Sequence, residues 1–259
     1  MNLSVLKSLK MIFTANTIIV SVLAIISTYL CLIYDIYIEF PLTLIGVAVI
    51  FPIVFSIGGA YTRREKALNY YANLKAHGRS IYYLTRDFTP KGKKVHREEL
   101  KDILSQLLLG CRQLLNTKIE NSAKMERVIY STFSSLSKYI KGSIDRGLPT
   151  SYGSRLNQYL SKMTDAFENL KHIYQYRTPV TLRAYSKVFI VVLPVIYGPY
   201  FAHLGQNVAF PLIYIMPILF SVILVCLDNI QDHLENPFDL VGEDDVRINV
   251  DKFIESLDR

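Results

Sequence analysis

The sequence predicts an all-α membrane protein with four transmembrane helices per chain and a cytoplasmic helical domain. Two observations carry this prediction. Hydrophobic residues make up 51% of the 259-residue chain, and they are concentrated in four uncharged runs that can each cross a hydrocarbon core of about 30 Å. A long polar and basic stretch with helical periodicity separates the second run from the third. We expect two spans in residues 1–62, a helical domain in 63–178, two spans in 179–227 and a cytoplasmic amphipathic segment in 228–259.

The first apolar run extends from Met11 to Tyr34 without a charged residue. A signal peptide is the alternative, but its apolar core is only about 7–15 residues long and a small-residue cleavage site follows it. We therefore predict a first transmembrane helix over this run. Lys7 and Lys10 precede it and place the N-terminus on the cytoplasmic side. Asp35 and Glu39 make the outer link that follows short and acidic.

The second predicted span covers about residues 41–61 and passes directly into a basic segment. Arg63, Arg64 and Lys66 stand where the helix leaves the bilayer, and positive charge at that position is typical of the cytoplasmic face.

Three bulky apolar residues, Val47, Phe51 and Phe55, recur every fourth position of this span. At that spacing they form one stripe along a helix, which we call the neck stripe. An apolar stripe most often packs against neighbouring helices or lipid, and the spacing by itself favours that interpretation.

The polar stretch between the second and third runs contains amphipathic helical patterns. Apolar residues recur at spacings of three and four, as in Leu100, Ile103, Leu104, Leu107 and Leu108. Aromatic and basic residues alternate around Tyr82, Tyr83 and Arg86, a composition that single-stranded nucleic acid can bind. Because the domain is tethered to a membrane, we expect a solvated helix face there and no nucleic-acid partner.

The third and fourth predicted spans contain prolines, such as Pro194, Pro199 and Pro217, which we expect to kink them. Four spans place both termini on the cytoplasmic side of the inner or plasma membrane. The net charge of +7 fits basic cytoplasmic segments.

No sequence motif supports an enzyme or a metal site. The sequence has no HExxH, GxGxxG, GxxxxGK[ST] or GxSxG pattern, and its five histidines are scattered. Cys31, Cys111 and Cys226 lie far apart without the spacing of metal ligands. We expect neither catalysis nor a cofactor.

Three segments together resemble the bestrophin family of ion channels, and in particular its short bacterial members. PLTLIGVAVIFPIVFSIGGAYTRREK (41–66) resembles the family's pore helix and its Y-x-R-W-W exit, with Arg64 and Glu65 in place of the paired tryptophans. RTPVTLRAY (177–185) is similar to the T-P-I-P-x-x-Y element, with one extra residue before Tyr185. The C-terminal LDNIQDHLENPFDLVGEDDVRINVDKFIESL is similar to the family's L-D-x-x-x-x-x-x-E-x-P-F-G segment.

This resemblance implies a homopentameric barrel around one central pore, with the neck stripe of Val47, Phe51 and Phe55 as its constriction and gate. It implies passive conduction of chloride or other small anions, and a monovalent-cation channel of the same fold is the alternative. A secondary transporter and a non-conducting membrane scaffold are further alternatives. Charged residues, which a proton-coupled transporter normally carries in its spans, are absent from all four runs.

Family members regulated by calcium carry an N-P-F-G-E-D-D-D-D clasp, of which this chain retains a possible acidic remnant. Asn236, Asp244 and Asp245 match parts of it, but Asp239, Leu240 and Val241 intervene. We expect no bound metal and no calcium dependence.

Overall fold

The structure is a computed structural model that describes residues 13–39, 42–89, 93–117, 119–176, 179–206, 212–239 and 245–258. Its regular elements in these ranges are all helical. The α-helices are α1 Ala15–Ile33, α2 Leu42–Phe88, α3 Lys93–Asn116, α4 Ser122–Asp145, α5 Thr150–Gln175, α6 Val180–Ile196, α7 Gly198–Gly205, α8 Ile215–Glu235 and α9 Val250–Glu255. The short 3₁₀ helices Ile119–Asn121 and Leu212–Tyr214 precede α4 and α8.

The all-α fold class is confirmed. Three helical stretches of the described chain are long and apolar enough to cross a membrane: Ala15–Ile33, Arg183–Gly205 and Leu212–Glu235. They correspond to the first, third and fourth predicted spans and point to a membrane protein. The second predicted span forms the first part of α2, a helix that continues to Phe88, and its crossing of the membrane stays a prediction.

Several residues named in the sequence predictions lie outside the described residues. They are Lys7, Lys10, Met11, Leu240, Val241 and Asp244.

The chain divides into two compact units, each built from two separate stretches. The apolar unit comprises Met1–Thr62 and Thr178–Asn236, and the polar unit comprises Arg63–Arg177 and Pro237–Arg259.

In the apolar unit, α1 packs on α6, α7 and α8, and α6 packs on α8. The core between the helices includes Val20, Ile53, Leu193 and Leu224, all almost fully buried. At one point α1 and α7 come very close, because a Cβ added to Gly198 would lie 2.2 Å from Ser27 Oγ and 3.0 Å from the Ser27 carbonyl carbon. Glycine therefore permits this helix contact. The Ser27 hydroxyl also donates a hydrogen bond of 2.7 Å to the Val195 carbonyl.

In the polar unit, α3, α4 and α5 form a helical bundle, and α9 packs on α3. The periodic leucines Leu100, Leu104, Leu107 and Leu108 are at most 2% exposed, so the helical pattern in the sequence marks the core correctly. The same core includes Tyr71, Leu74, Ile81 and Tyr82 of α2.

The C-terminal segment completes the core of the polar unit. Val250, Phe253 and Leu257 are at most 4% exposed. The Tyr82 hydroxyl donates a hydrogen bond of 2.7 Å to Asp258, and Lys101 forms a 2.7 Å salt bridge with the same carboxylate. Residues that follow the last apolar helix therefore return to a bundle formed by the middle of the chain.

Candidate pore neck

The neck stripe is the exposed face of α2 within the apolar unit. Val47 is 63% exposed, Phe51 60% and Phe55 63%. Ile50 and Val54 beside the stripe are also exposed. So many large exposed apolar side chains on one face of a helix indicate a surface that contacts lipid or another protein chain, or that lines a pore.

The opposite face of α2 is buried against the rest of the apolar unit. Val49, Ile53, Ser56 and Ala60 are at most 3% exposed, and Val49 and Ile53 belong to its apolar core. Among the described residues, no helix of the same chain covers the neck stripe. Packing against lipid, the other part of the common interpretation of such a pattern, stays open.

The two phenylalanines of the stripe contact each other. Their ring centroids are 4.6 Å apart with an interplanar angle of 74°, an edge-to-face pair. The two rings therefore form one continuous apolar patch on the exposed face of the helix.

Pro52 lies inside α2, next to Phe51. Proline has no N–H and leaves the carbonyl four residues earlier without its helical donor, which makes a helix bend more easily at that point. A point of reduced stiffness therefore lies within the neck stripe.

The start of the polar unit carries the basic residues predicted at the exit of the second span. Arg63 donates a hydrogen bond of 3.0 Å to the carbonyl of Ile173 and another to that of Tyr176. Arg64 pairs with Glu65 at 2.6 Å. Arg64 and Glu65, which the sequence resemblance aligns with paired tryptophans, therefore form an ion pair with each other.

Sequence reasoning missed a layer of ion pairs between α6 and α8. Arg183 pairs with Glu235 at 3.1 Å, and Lys187 pairs with Asp232 at 2.9 Å. Glu235 is 4% exposed, so its charge needs this partner. A signal was available, since Asp232 and Glu235 lie three residues apart at the end of an apolar run, but their partners lie on another helix.

The possible calcium-clasp remnant is only partly described. Asn236 follows the last residue of α8, Asp245 is half-buried, and Asp244 lies outside the described residues. Within the described ranges there is no group of three or more His, Cys, Asp or Glu side chains suited to a metal ion. The prediction of no calcium dependence therefore stays a prediction.

Among proteins of known structure, this chain is similar to crystal structures of a bacterial bestrophin homologue from Klebsiella pneumoniae. One single-site variant of that protein matches with a TM-score of 0.75 at 17% identity, covering 95% of this chain and all of the other. A second variant matches with a TM-score of 0.73 at 14% identity, covering 95% and 97%. The fold is that of the bacterial bestrophin homologues. A structure described only as a membrane protein matches with a TM-score of 0.71 at 16% identity, covering 93% of this chain and 96% of the other.

No protein-family model matches the sequence, and no curated protein matches it. The structural matches nevertheless confirm the bestrophin resemblance of three short segments, as a likeness of fold over nearly the whole chain.

Proposed function

We propose that this protein is a passive ion channel, a homopentamer whose central pore is narrowed by rings of Val47, Phe51 and Phe55. The observation that carries the proposal is the uncovered neck stripe on α2, in a chain with the fold of bestrophin homologues. In a pentamer with one central axis, each residue of the neck stripe and its four counterparts from the other chains form a ring at one depth of the pore.

Stacked apolar rings of this kind gate by excluding water. A narrow hydrophobic constriction loses its water column readily, and a small widening restores it. The edge-to-face pair of Phe51 and Phe55 gives the gate bulk, and Pro52 lets α2 bend beside it.

Chloride or other small anions are the permeant ions that the bestrophin resemblance favours. The basic polar stretch supports this choice, since positive charge raises the local concentration of anions.

A monovalent-cation channel is the second candidate, and the charges around the outer link favour it. Asp35 and Glu39 in that link are both exposed. The sequence has no Lys or Arg between Lys10 and Arg63, or between Lys187 and Arg247. Carboxylates without opposing charges at a pore entrance concentrate cations. Ion selectivity is thus the most specific part of the proposal, and it should be measured first.

The predicted topology places the channel in the inner or plasma membrane with both termini in the cytoplasm. Its partners are then the lipid bilayer, four further copies of this chain and the permeant ions. A secondary transporter would instead show saturable, coupled uptake, and a scaffold would show no conductance.

The test is single-channel recording of the purified protein in planar bilayers under a KCl gradient. We expect discrete openings, and the sign of the reversal potential distinguishes chloride from potassium. A parallel mass measurement of the detergent-solubilised complex should give five subunits. A protein of another stoichiometry would contradict the proposal. So would a pentamer that carries no current even after Phe51 and Phe55 are both replaced with alanine.

A further inference from the structure

Three basic side chains of the polar unit lie together where α9 meets α2. Lys75 and Arg79 stand about one helical turn apart on α2, and Lys252 belongs to α9. Lys252 is exposed, and the other two are half-buried. We call these three residues the basic cluster. The proposed pore does not use them.

Two hydrogen bonds fasten the C-terminal segment to α2. The Asn249 N–H donates one of 3.2 Å to the Tyr71 hydroxyl, and the Arg79 guanidinium donates one of 2.8 Å to Ser256 Oγ. On each segment, the lysine of the basic cluster stands between the two bonded positions. The fold of the polar unit therefore fixes the backbone positions of the cluster.

The positive charges of the basic cluster repel one another. The pKa of the Lys75 ammonium is lowered, first by burial and then by the charges of Arg79 and Lys252. Lys75 Nζ lies 4.2 Å from the centre of the Tyr71 ring, a cation–π contact that supplies no opposite charge. Arg79 Nε is buried and has no hydrogen-bond partner among the described residues. An anion bound at the cluster would offset this repulsion.

Carboxylates of the C-terminal segment do not neutralise the cluster. Within the described ranges, none of its three side chains forms an ion pair. Asp251 and Glu255 of α9 are exposed, and in the same ranges neither pairs with Lys252. Asp258 already forms its 2.7 Å salt bridge with Lys101. The cluster thus keeps its positive charge in the folded polar unit.

The arrangement of the cluster favours a ligand with two linked phosphate groups. Arginine binds phosphate oxygens with paired hydrogen bonds, and lysine binds them as a point charge. Lys75 and Arg79 are about 6 Å apart along the helix axis, and Lys252 approaches from another segment. Three cations spread over this length match two linked phosphate groups better than a single one.

The position of the cluster along α2 favours a soluble anion over a lipid headgroup. We expect α2 to leave the bilayer at Arg63. Lys75 and Arg79 lie about 18 Å and 24 Å further along the helix axis. A headgroup at the bilayer surface would have to reach across that distance, whereas a dissolved anion has free access to the exposed side of the cluster.

We propose that the basic cluster binds one soluble diphosphate anion per chain, held by Lys75, Arg79 and Lys252. Because the anion contacts both segments, it also joins α9 to α2. The site is separate from the neck stripe, and its occupancy does not depend on the proposed channel activity.

The test uses the full-length protein in phosphatidylcholine nanodiscs and isothermal titration with inorganic pyrophosphate, in sodium chloride buffer without divalent cations and against empty nanodiscs. We expect one pyrophosphate per chain, bound about ten-fold or more tightly than inorganic phosphate, because one phosphate group cannot contact all three cations. Pyrophosphate should also raise the urea midpoint of the polar unit, since it binds the folded state.

Two lysine variants and one matched control locate the site. Lys75→Gln and Lys252→Gln should each weaken pyrophosphate binding by about ten-fold, the usual cost of a lost charge-assisted hydrogen bond. Lys138→Gln removes the same charge from an exposed position of α4 and should leave binding unchanged. Without pyrophosphate, Lys252→Gln should unfold at the parent's urea midpoint or above it, because the substitution removes a repulsive charge. Weaker binding is then not a folding defect.

Nanodiscs that contain phosphatidylglycerol distinguish a soluble ligand from a lipid. Pyrophosphate binding should persist in them. Its loss there would mean that an anionic headgroup occupies the cluster, and would overturn the proposal.

Three further results would overturn it. Inorganic phosphate that binds as tightly as pyrophosphate would show that the three cations do not act together. Equal weakening by Lys138→Gln would show only general attraction to a positively charged protein. Absence of pyrophosphate binding at millimolar concentration would leave the cluster without such a ligand. Since the readout is binding and not current, these results are independent of the channel proposal.

Discussion

At the scale of single residues, Phe51 and Phe55 are the side chains on which the proposed gate depends. Both are about three-fifths exposed and contact each other. Replacing both with alanine should widen the neck and raise single-channel conductance or leak several-fold, because smaller apolar rings admit a continuous water column. Bilayer recording measures the change.

The control for the neck variant replaces exposed apolar residues on another helix. Ile18 and Ile26 of α1 are 68% and 48% exposed, and their alanine variants should leave conductance unchanged. If the protein with both Phe51→Ala and Phe55→Ala assembles normally and has the same single-channel conductance as the parent, the pore lining lies elsewhere.

His96 is a buried histidine, and we expect its titration to make the stability of the polar unit depend on pH. Its ring is 5% exposed, stacks on Tyr139 with centroids 4.2 Å apart, and lies 3.0 Å from Ser143 Oγ and 3.3 Å from Glu99. Burial lowers the pKa of His96 below its ordinary value, the Glu99 hydrogen bond opposes the shift, and the charge of Arg146 adds to it. The folded state therefore favours the neutral imidazole.

A lowered pKa predicts that stability is lost on acidification. Above the unfolded-state pKa of about 6.5 both states are neutral, and below it the unfolded chain takes up the proton more readily than the folded one. Denaturant unfolding at pH 7.5 and 5.5 should show this loss, and His96→Gln should reduce it. His77 has a pKa shifted in the same direction, so part of the loss should remain. An identical loss in His96→Gln and parent would contradict the assignment.

The expected absence of calcium regulation can be tested at Asp244 and Asp245. The acidic segment is interrupted by Asp239, Leu240 and Val241 relative to the family's clasp, so we expect open probability to be unchanged by calcium titration. A calcium response that disappears in Asp244→Ala with Asp245→Ala would show that the clasp works despite the interruption.

At the scale of elements, the close contact of α1 and α7 depends on the absence of a side chain at Gly198. Gly198→Ala would place its Cβ 3.0 Å from the backbone of Ser27. The helices would have to separate, and overpacking of this kind costs about 1–3 kcal/mol. Thermal unfolding in detergent should show a lower midpoint.

Gly59 supplies the matched control on α2. A Cβ there has no heavy atom within 4 Å, and alanine is the better helix former by about 1 kcal/mol. Gly59→Ala should be neutral or stabilising in the same melting experiment. A Gly198→Ala protein that melts with the parent would show that α1 and α7 adjust without cost.

At the scale of the whole molecule, each compact unit is assembled from stretches that are distant in the sequence. The polar unit joins Arg63–Arg177 with Pro237–Arg259, and its core includes Phe238, Val250, Phe253 and Leu257. The C-terminal segment is thus part of the fold of the polar unit. Its loss should destabilise a bundle from which the helices α6, α7 and α8 separate it in the sequence.

Phe253→Ala makes this dependence measurable. Phe253 is 4% exposed, and removal of a buried phenylalanine ring typically costs about 3–5 kcal/mol. Urea titration should show a strongly lowered unfolding midpoint of the polar unit in Phe253→Ala. Glu255→Ala, at an exposed position of α9, should leave that midpoint unchanged. Equal midpoints for the two variants would mean that the segment docks without contributing to stability.

The sequence by itself determined the all-α class and the positions of the apolar helices, because these follow from local periodicity and the length of uncharged runs. It also marked the neck stripe, since Val47, Phe51 and Phe55 share a face of any helix that contains them. Only the tertiary structure decided that this face is uncovered while Val49 and Ile53 are buried. It alone paired Arg183 with Glu235 and brought Phe253 into the core of the polar unit. Such contacts join residues far apart in the chain, and no local pattern specifies which partner a charged or apolar face will meet.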